Sequence, residues 1–263
     1  MRFLGEGEAR DGVVERAFDI RVEGRSVPGL LWTPAPEPSE AGRSRPLVLV
    51  GHGATLHKRV DHIVALARLL VAHGFAAAAV DAPGHGDRRA DPAADEIQLF
   101  STFLAEWSRP ESTDEVVAEL LAALAALRAL DEVGDGPVGY WGLSMGTIYG
   151  IPLAAAEPRV QAAVFGLMGL LGPTAARLRA DAAALACPVL FVQQWHDQLI
   201  PRADAFALFD AIGSLDKRLH AHPGLHSAVP PEELLASVDF LARHLAPGRA
   251  SGGSPAATGR RPA

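Results

Sequence analysis

Val138-Gly139-Tyr140-Trp141-Gly142-Leu143-Ser144-Met145-Gly146 opens on a short apolar run, closes on the pattern G-x-S-x-G, and is followed at once by a helix-like stretch at residues 145–156. That order predicts a strand, a sharp turn and a helix, with Ser144 at the turn. A residue in such a turn takes a strained backbone conformation, and glycines on either side keep neighbouring Cβ atoms out of its way. The hydroxyl then stands above the sheet edge, in front of a helix N-terminus whose unpaired N–H groups and positive potential favour developing negative charge. Taken alone, the pentapeptide also fits an ordinary turn with a helix-capping serine, so the rest of the chain decides between the two.

Working outward, short apolar runs recur at residues 47–50, 76–80, 160–165, 189–192 and 219–222, separated by longer helical segments. Runs without alternation belong to strands covered on both faces, which predicts an α/β fold with a mostly parallel sheet and helices on each side. Ahead of them, residues 14–22 and 29–33 alternate enough for two antiparallel strands joined near Gly24, followed by a Pro/Glu/Ser-rich loop at 34–45. The expected sheet therefore has eight strands. Helices are expected at 61–73, at 174–184, after a Ser112/Glu115 capping box, and after Pro201 and Pro231. Nothing in the middle reads as a linker, so residues 1–246 are expected to form one domain. The Gly, Ser, Pro, Ala and Arg of 247–263 carry no apolar periodicity and are expected to be a disordered tail.

Composition removes several function classes. The 24 basic and 31 acidic residues give a net charge of −7 with no basic stripe, so nucleic acid is not an expected partner. No apolar run approaches the roughly 18 residues needed to cross a bilayer. Glu6, Glu8 and Asp11 stand where a secretory signal needs an apolar core, so the chain reads as soluble, unexported and cytoplasmic. The single cysteine, Cys187, rules out an intramolecular disulfide or a cysteine-based metal cluster, and its place beside Pro188 at a strand start suits packing.

A serine hydroxyl needs a base to take its proton and a carboxylate to orient that base. The carboxylate candidate is Asp197, directly after the run 189–192, although the same position suits a cap for the helix after Pro201. His226, in Pro223-Gly224-Leu225-His226-Ser227, is the base candidate; its competitors His220 and His222 alternate on a strand, whereas His226 follows a glycine in a loop. Serine, aspartate and histidine then leave the C-terminal ends of three strands, where open parallel sheets build sites. The oxyanion of acyl transfer needs two N–H donors. Met145 offers the first, and Gly51-His52-Gly53-Ala54-Thr55 after the third strand nominates Ala54 for the second. His57 and Lys58 follow closely as candidates for lining the entrance, although a solvated loop suits both better. The chemistry requires no metal and no organic cofactor.

Together, His52-Gly53 after the third strand, Asp81-Ala82-Pro83-Gly84-His85-Gly86 after the fourth, the turn at Ser144, Asp197 and His226 resemble the α/β-hydrolase superfamily, most closely its dienelactone-hydrolase-type and small carboxylesterase branches. The resemblance spans about residues 14–246 and implies an α/β-hydrolase fold, with 81–86 a structural turn. It also implies a small-molecule ester or related acyl substrate. Thioester, amide and peptide cleavage share the same acyl-enzyme, and a non-catalytic receptor on this scaffold is the alternative from another class. Only residues 166–186 separate the sixth and seventh strands, too few for a large lid. The longer excursion, 87–111, carries Phe100, Phe103 and Trp107: these either line a pocket under a small cap or pack one extra helix into the core.

Overall fold

Alternate residues of the central strands split between two hydrophobic cores, one on each face of the sheet. The computed structural model describes residues 1–36 and 44–245. Most of the expected loop at 34–45 and the whole expected tail at 247–263 lie outside the described residues.

The chain begins with four antiparallel strands, β1 (Arg2–Phe3), β2 (Glu8–Arg10), β3 (Val13–Val22) and β4 (Arg25–Pro34). Glu23 and Gly24 both take positive φ, 50° and 83°, the pair of conformations that a two-residue hairpin turn demands. Six parallel strands follow: β5 (Leu47–Gly51), β6 (Ala76–Val80), β7 (Val138–Gly142), β8 (Val160–Gly166), β9 (Val189–Gln194) and β10 (Lys217–His222). Between and after them come α1 (Asp61–Ala72), α2 (Glu96–Trp107), α3 (Ser112–Arg128), α4 (Met145–Ala156), α5 (Ala175–Ala184), α6 (Arg202–Ala211) and α7 (Glu232–Leu245). The sheet order is β1-β3-β4-β6-β5-β7-β8-β9-β10, with β2 on β3. All eight expected strands are therefore present, and β1 and β2 extend the sheet to ten.

Leu47, Leu49, Ala76, Ala78 and Tyr140 join one core with α3, α4, α5 and α6. Val48, Val50, Ala77, Ala79 and Trp141 join the other with α1 and α7. Burial on both faces is what made these strands continuous apolar runs. The chain steps from β5 to β6 on one side, then crosses to β7 on the other. Loops leaving β5 and β7 diverge at that switch, and a crevice at the strands' C-terminal ends results.

Two local expectations differ. Ser112 is the first residue of α3, with its side chain buried in the core, so no capping box forms with Glu115. The capping box sits instead on α2, where Asp95 accepts the Gln98 N–H at 2.8 Å and Gln98 Oε1 accepts the Asp95 N–H at 2.9 Å.

Candidate active site

Ser144 has φ 57° and ψ −118°, an uncommon conformation for a residue with a Cβ that costs on the order of 1–3 kcal/mol and persists only where its surroundings impose it. Those surroundings are specific. The Ser144 N–H donates to Gly166 O at 2.9 Å. Thr147 Oγ1 lies 2.7 Å from Gly166 O and 2.9 Å from Gly142 O, donating its one proton to this pair, and accepts the Gly166 N–H at 2.8 Å. Strands β7 and β8 are thus stitched to the first turn of α4. A Cβ on Gly146 would come within 2.9 Å of Gly51 O, so the absence of a side chain there lets α4 press against the end of β5. The buried Tyr140 hydroxyl donates to Gly146 O at 2.7 Å from the other side.

The other two residues reach Ser144 from β9 and β10. His226 Nε2 is 3.0 Å from Ser144 Oγ, and His226 Nδ1 is 2.8 Å from Asp197 Oδ2. The Asp197 side chain is 1% exposed, while Ser144 remains partly open to solvent. Asp197 also holds the turn before α6: its Oδ1 accepts the N–H groups of Leu199 at 2.8 Å and Ile200 at 2.9 Å, leaving Oδ2 for the imidazole. Since a carboxylate only accepts, Nδ1 carries the proton and Nε2 faces the serine with a free lone pair.

The loops bearing Asp197 and His226 are laced together. Trp195 N–H donates to His222 O at 2.7 Å, His196 N–H to Gly224 O at 3.0 Å, and His226 N–H to Gln198 Oε1 at 2.9 Å. Neither Gln198 nor Thr147 stands out in the sequence, because a lone polar residue in a loop or first turn carries no pattern.

Met145 is the first residue of α4, where N–H groups have no acceptor within the helix. Ala54 follows the exit of β5, against which that first turn packs. Its loop is pinned to the turn after β6 in two ways. Ala82 N–H donates to His52 Nε2 at 3.1 Å, so His52 Nδ1–H donates to Gly53 O at 2.9 Å. Lys58, expected in a solvated loop, is instead 3% exposed and paired through Nζ with the fully buried Asp81, whose carboxylate also accepts the N–H groups of Lys58 at 3.0 Å and Asp87 at 2.9 Å. Burial alone would raise the Asp81 carboxyl, but the hydrogen bonds from Lys58 hold it below the usual carboxylate range.

Burial, with the nearby His85 imidazole adding to it, pushes His52 from 6.5 down to about 4. Between those values the unfolded chain binds a proton at residue 52 that the folded chain refuses, so stability is lost as pH falls through that window. The loss from this residue is on the order of 3 kcal/mol, and His62 and His85, also lowered by burial, act in the same direction. Thermal melts should therefore drop steeply from pH 6.5 to 4, and His52→Gln should flatten part of the slope; an unchanged slope in the variant would contradict this role.

His57 is half-buried, and its Nδ1 accepts the Arg59 N–H at 3.1 Å. On α2 the packing alternative describes Leu99, Phe103 and Trp107, which are buried; Phe103 stacks on Trp107 at 5.5 Å, and the indole N–H donates to Thr174 Oγ1 at 2.8 Å. Expected as pocket lining, Phe103 and Trp107 are core side chains because the stripe at 99, 103 and 107 faces inward. Phe100 lies at the edge of that stripe, exposed but with its ring centroid 5.9 Å from that of Phe103, and Ile97 and Leu104 are exposed as well. A cavity of about 30 Å³ is lined by Gly51, His52, Asp81, Tyr140 and Met145, and neither Ser144 nor His226 is part of its wall.

Residues 47–262 match the model of the alpha/beta hydrolase family. No curated protein matches the chain. A polyethylene-glycol-bound cold-adapted esterase from an Arctic intertidal metagenomic library is 40% identical, with 93% of this chain and 100% of that one covered and a TM-score of 0.82. A zinc-bound structure of a cold-adapted esterase from such a library is 38% identical, with 93% and 100% covered and a TM-score of 0.77. The acetyl xylan esterase of Paenibacillus sp. R4, at 16% identity, 93% and 88% coverage and a TM-score of 0.72, shares the fold.

Proposed function

The chain belongs to the alpha/beta hydrolase family, on its esterase-like branch, and we propose that it cleaves a small carboxylic ester through an acyl-enzyme on Ser144. The observation that carries this reading is the continuous line of hydrogen bonds from Ser144 Oγ through His226 to Asp197, 3.0 Å and 2.8 Å long. His226 Nε2 takes the serine proton as Oγ attacks the ester carbonyl, and Asp197 holds the tautomer and offsets the charge that forms on the imidazole. The Met145 and Ala54 amides receive the tetrahedral oxyanion. Collapse of that intermediate expels the alcohol with the proton from His226. Water, deprotonated by the same imidazole, then attacks the acyl-enzyme and restores the serine. Nothing in these steps calls on a metal or an organic cofactor.

An ester is preferred over a thioester or amide because the 40%-identical neighbour is an esterase. The test is a panel of p-nitrophenyl esters graded in acyl length, with an aryl-acid ester, a thioester and an anilide beside them. The expected result is a burst of p-nitrophenol of about one equivalent per chain, followed by steady turnover, with the esters outrunning the anilide. A folded chain that turns over none of them is a ligand receptor on a hydrolase scaffold. Turnover of the thioester alone would replace the substrate class and leave the mechanism standing.

A further inference from the structure

The structure assigns a second, non-catalytic site: His220, His222 and Glu233 form a seat for one divalent transition-metal ion of zinc's class. The two histidines are at i and i+2 of β10, the strand at the end of the sheet, so both imidazoles fall on one face of it. Glu233, in the first turn of α7, is only 3% exposed and lies between them. Its Oε1 is 3.0 Å from His220 Nδ1, and its Oε2 is 2.6 Å from His222 Nε2. One ligand atom from each residue lies within 4.8 Å of the others.

Two imidazoles and one carboxylate are a donor set that zinc takes with a fourth position left to solvent. With metal–ligand bonds of about 2.0–2.1 Å, tetrahedral geometry needs ligand atoms roughly 3.3 Å apart. The two carboxylate–imidazole separations, 3.0 Å and 2.6 Å, are shorter than that by about 0.3 and 0.7 Å, so an ion seats by spreading the carboxylate away from both imidazoles. Its route is open, because the His220 and His222 side chains are 37% and 23% exposed. The carboxylate has reason to accept a cation: among the described residues its ion-pair partners are these two imidazoles, with no lysine or arginine among them.

The position gives the ion a purpose apart from the chemistry. His222 ends β10 and Glu233 lies in the first turn of α7, and the loop that holds His226 runs between them. An ion held by both ties the two ends of that loop together. Ordering it stabilises the folded chain by mass action without the ion touching a reacting atom.

Protein stripped with a chelator is titrated with zinc chloride in a calorimeter, and separately with cobalt chloride for the visible bands of a low-coordinate ion. One equivalent of zinc should bind, raise the thermal midpoint and slow amide exchange across 223–231. Binding should be lost in the His220→Asn/His222→Asn variant, fall on the order of tenfold or more in Glu233→Gln, and survive in His226→Asn. Zinc that binds the double variant as it binds the parent, or that is lost only in His226→Asn, overturns the assignment by locating the ion at the triad or elsewhere. So does a folded parent with no saturable binding, a result that needs no variant to fold.

Discussion

Ser144→Ala leaves a folded chain with ester turnover reduced by roughly five to six orders of magnitude, the size of loss seen when the nucleophile of a serine hydrolase is removed. The backbone at 144 is already in its strained conformation, and alanine has the same Cβ as serine, so strain in the folded state is unchanged. The bonds that impose the conformation, Ser144 N–H to Gly166 O and the Thr147 hydroxyl to the ends of β7 and β8, do not involve the Ser144 hydroxyl. What disappears is one partly exposed hydrogen bond to His226. The thermal midpoint should move by no more than about 4 °C for a chain of this size. Measured together, kcat and the melt separate the outcomes: near-parental turnover removes Ser144 from the mechanism, whereas a collapsed melt shows a structural role that the geometry does not contain.

Asp197→Asn has the second largest effect, a fall in kcat of about 10⁴ with little change in KM. Asparagine offers one oxygen and one NH₂ where aspartate offers two oxygens. The Leu199 and Ile200 amides, which now donate to Oδ1, keep the oxygen in the turn, so the NH₂ faces His226 Nδ1. Nδ1 must then accept, the ring proton moves to Nε2, and Nε2 points a proton at the serine it should deprotonate. The turn before α6 keeps its hydrogen bonds, so the melt stays close to the parent's. If Asp197 served only that turn, the variant would be nearly as active as the parent; measuring kcat and KM decides between the two roles.

The turn at Ser144 was legible because everything that makes it is local: strand, glycines, serine and the start of the helix are contiguous over residues 138–146. The parallel strands were legible because two-sided burial removes alternation, and their order along the chain places the turns after β7, β9 and β10 on one edge. Strands β1 and β2 were not, since two and three residues with mostly exposed side chains carry no period to read. Lys58 was misread for a different reason. A lysine three residues after a glycine-rich turn looks solvated, and nothing local announces that Asp81, on another strand's exit, is buried and in need of a cation. Ser112 matches the capping box pattern as well as Asp95 does, but tertiary packing turned its side chain into the core. Phe103 and Trp107 show the same limit on α2, where spacing defines a stripe without saying which way it faces. Gln198 and Thr147 act through bonds to loops and strand ends tens of residues from them or to a neighbouring turn, and a single polar letter does not encode those.

The central claim is that the Ser144 hydroxyl is a nucleophile made reactive by His226. A fluorophosphonate reacts covalently with such a hydroxyl and with little else on a folded protein. After labelling, tryptic digestion releases Ser144 in the peptide spanning residues 129–159, and mass mapping should find one phosphonyl group per chain there, on Ser144, with the rate greatly slowed in His226→Asn. A folded chain whose Ser144 stays unmodified, or is modified equally fast without the imidazole, would contradict the account.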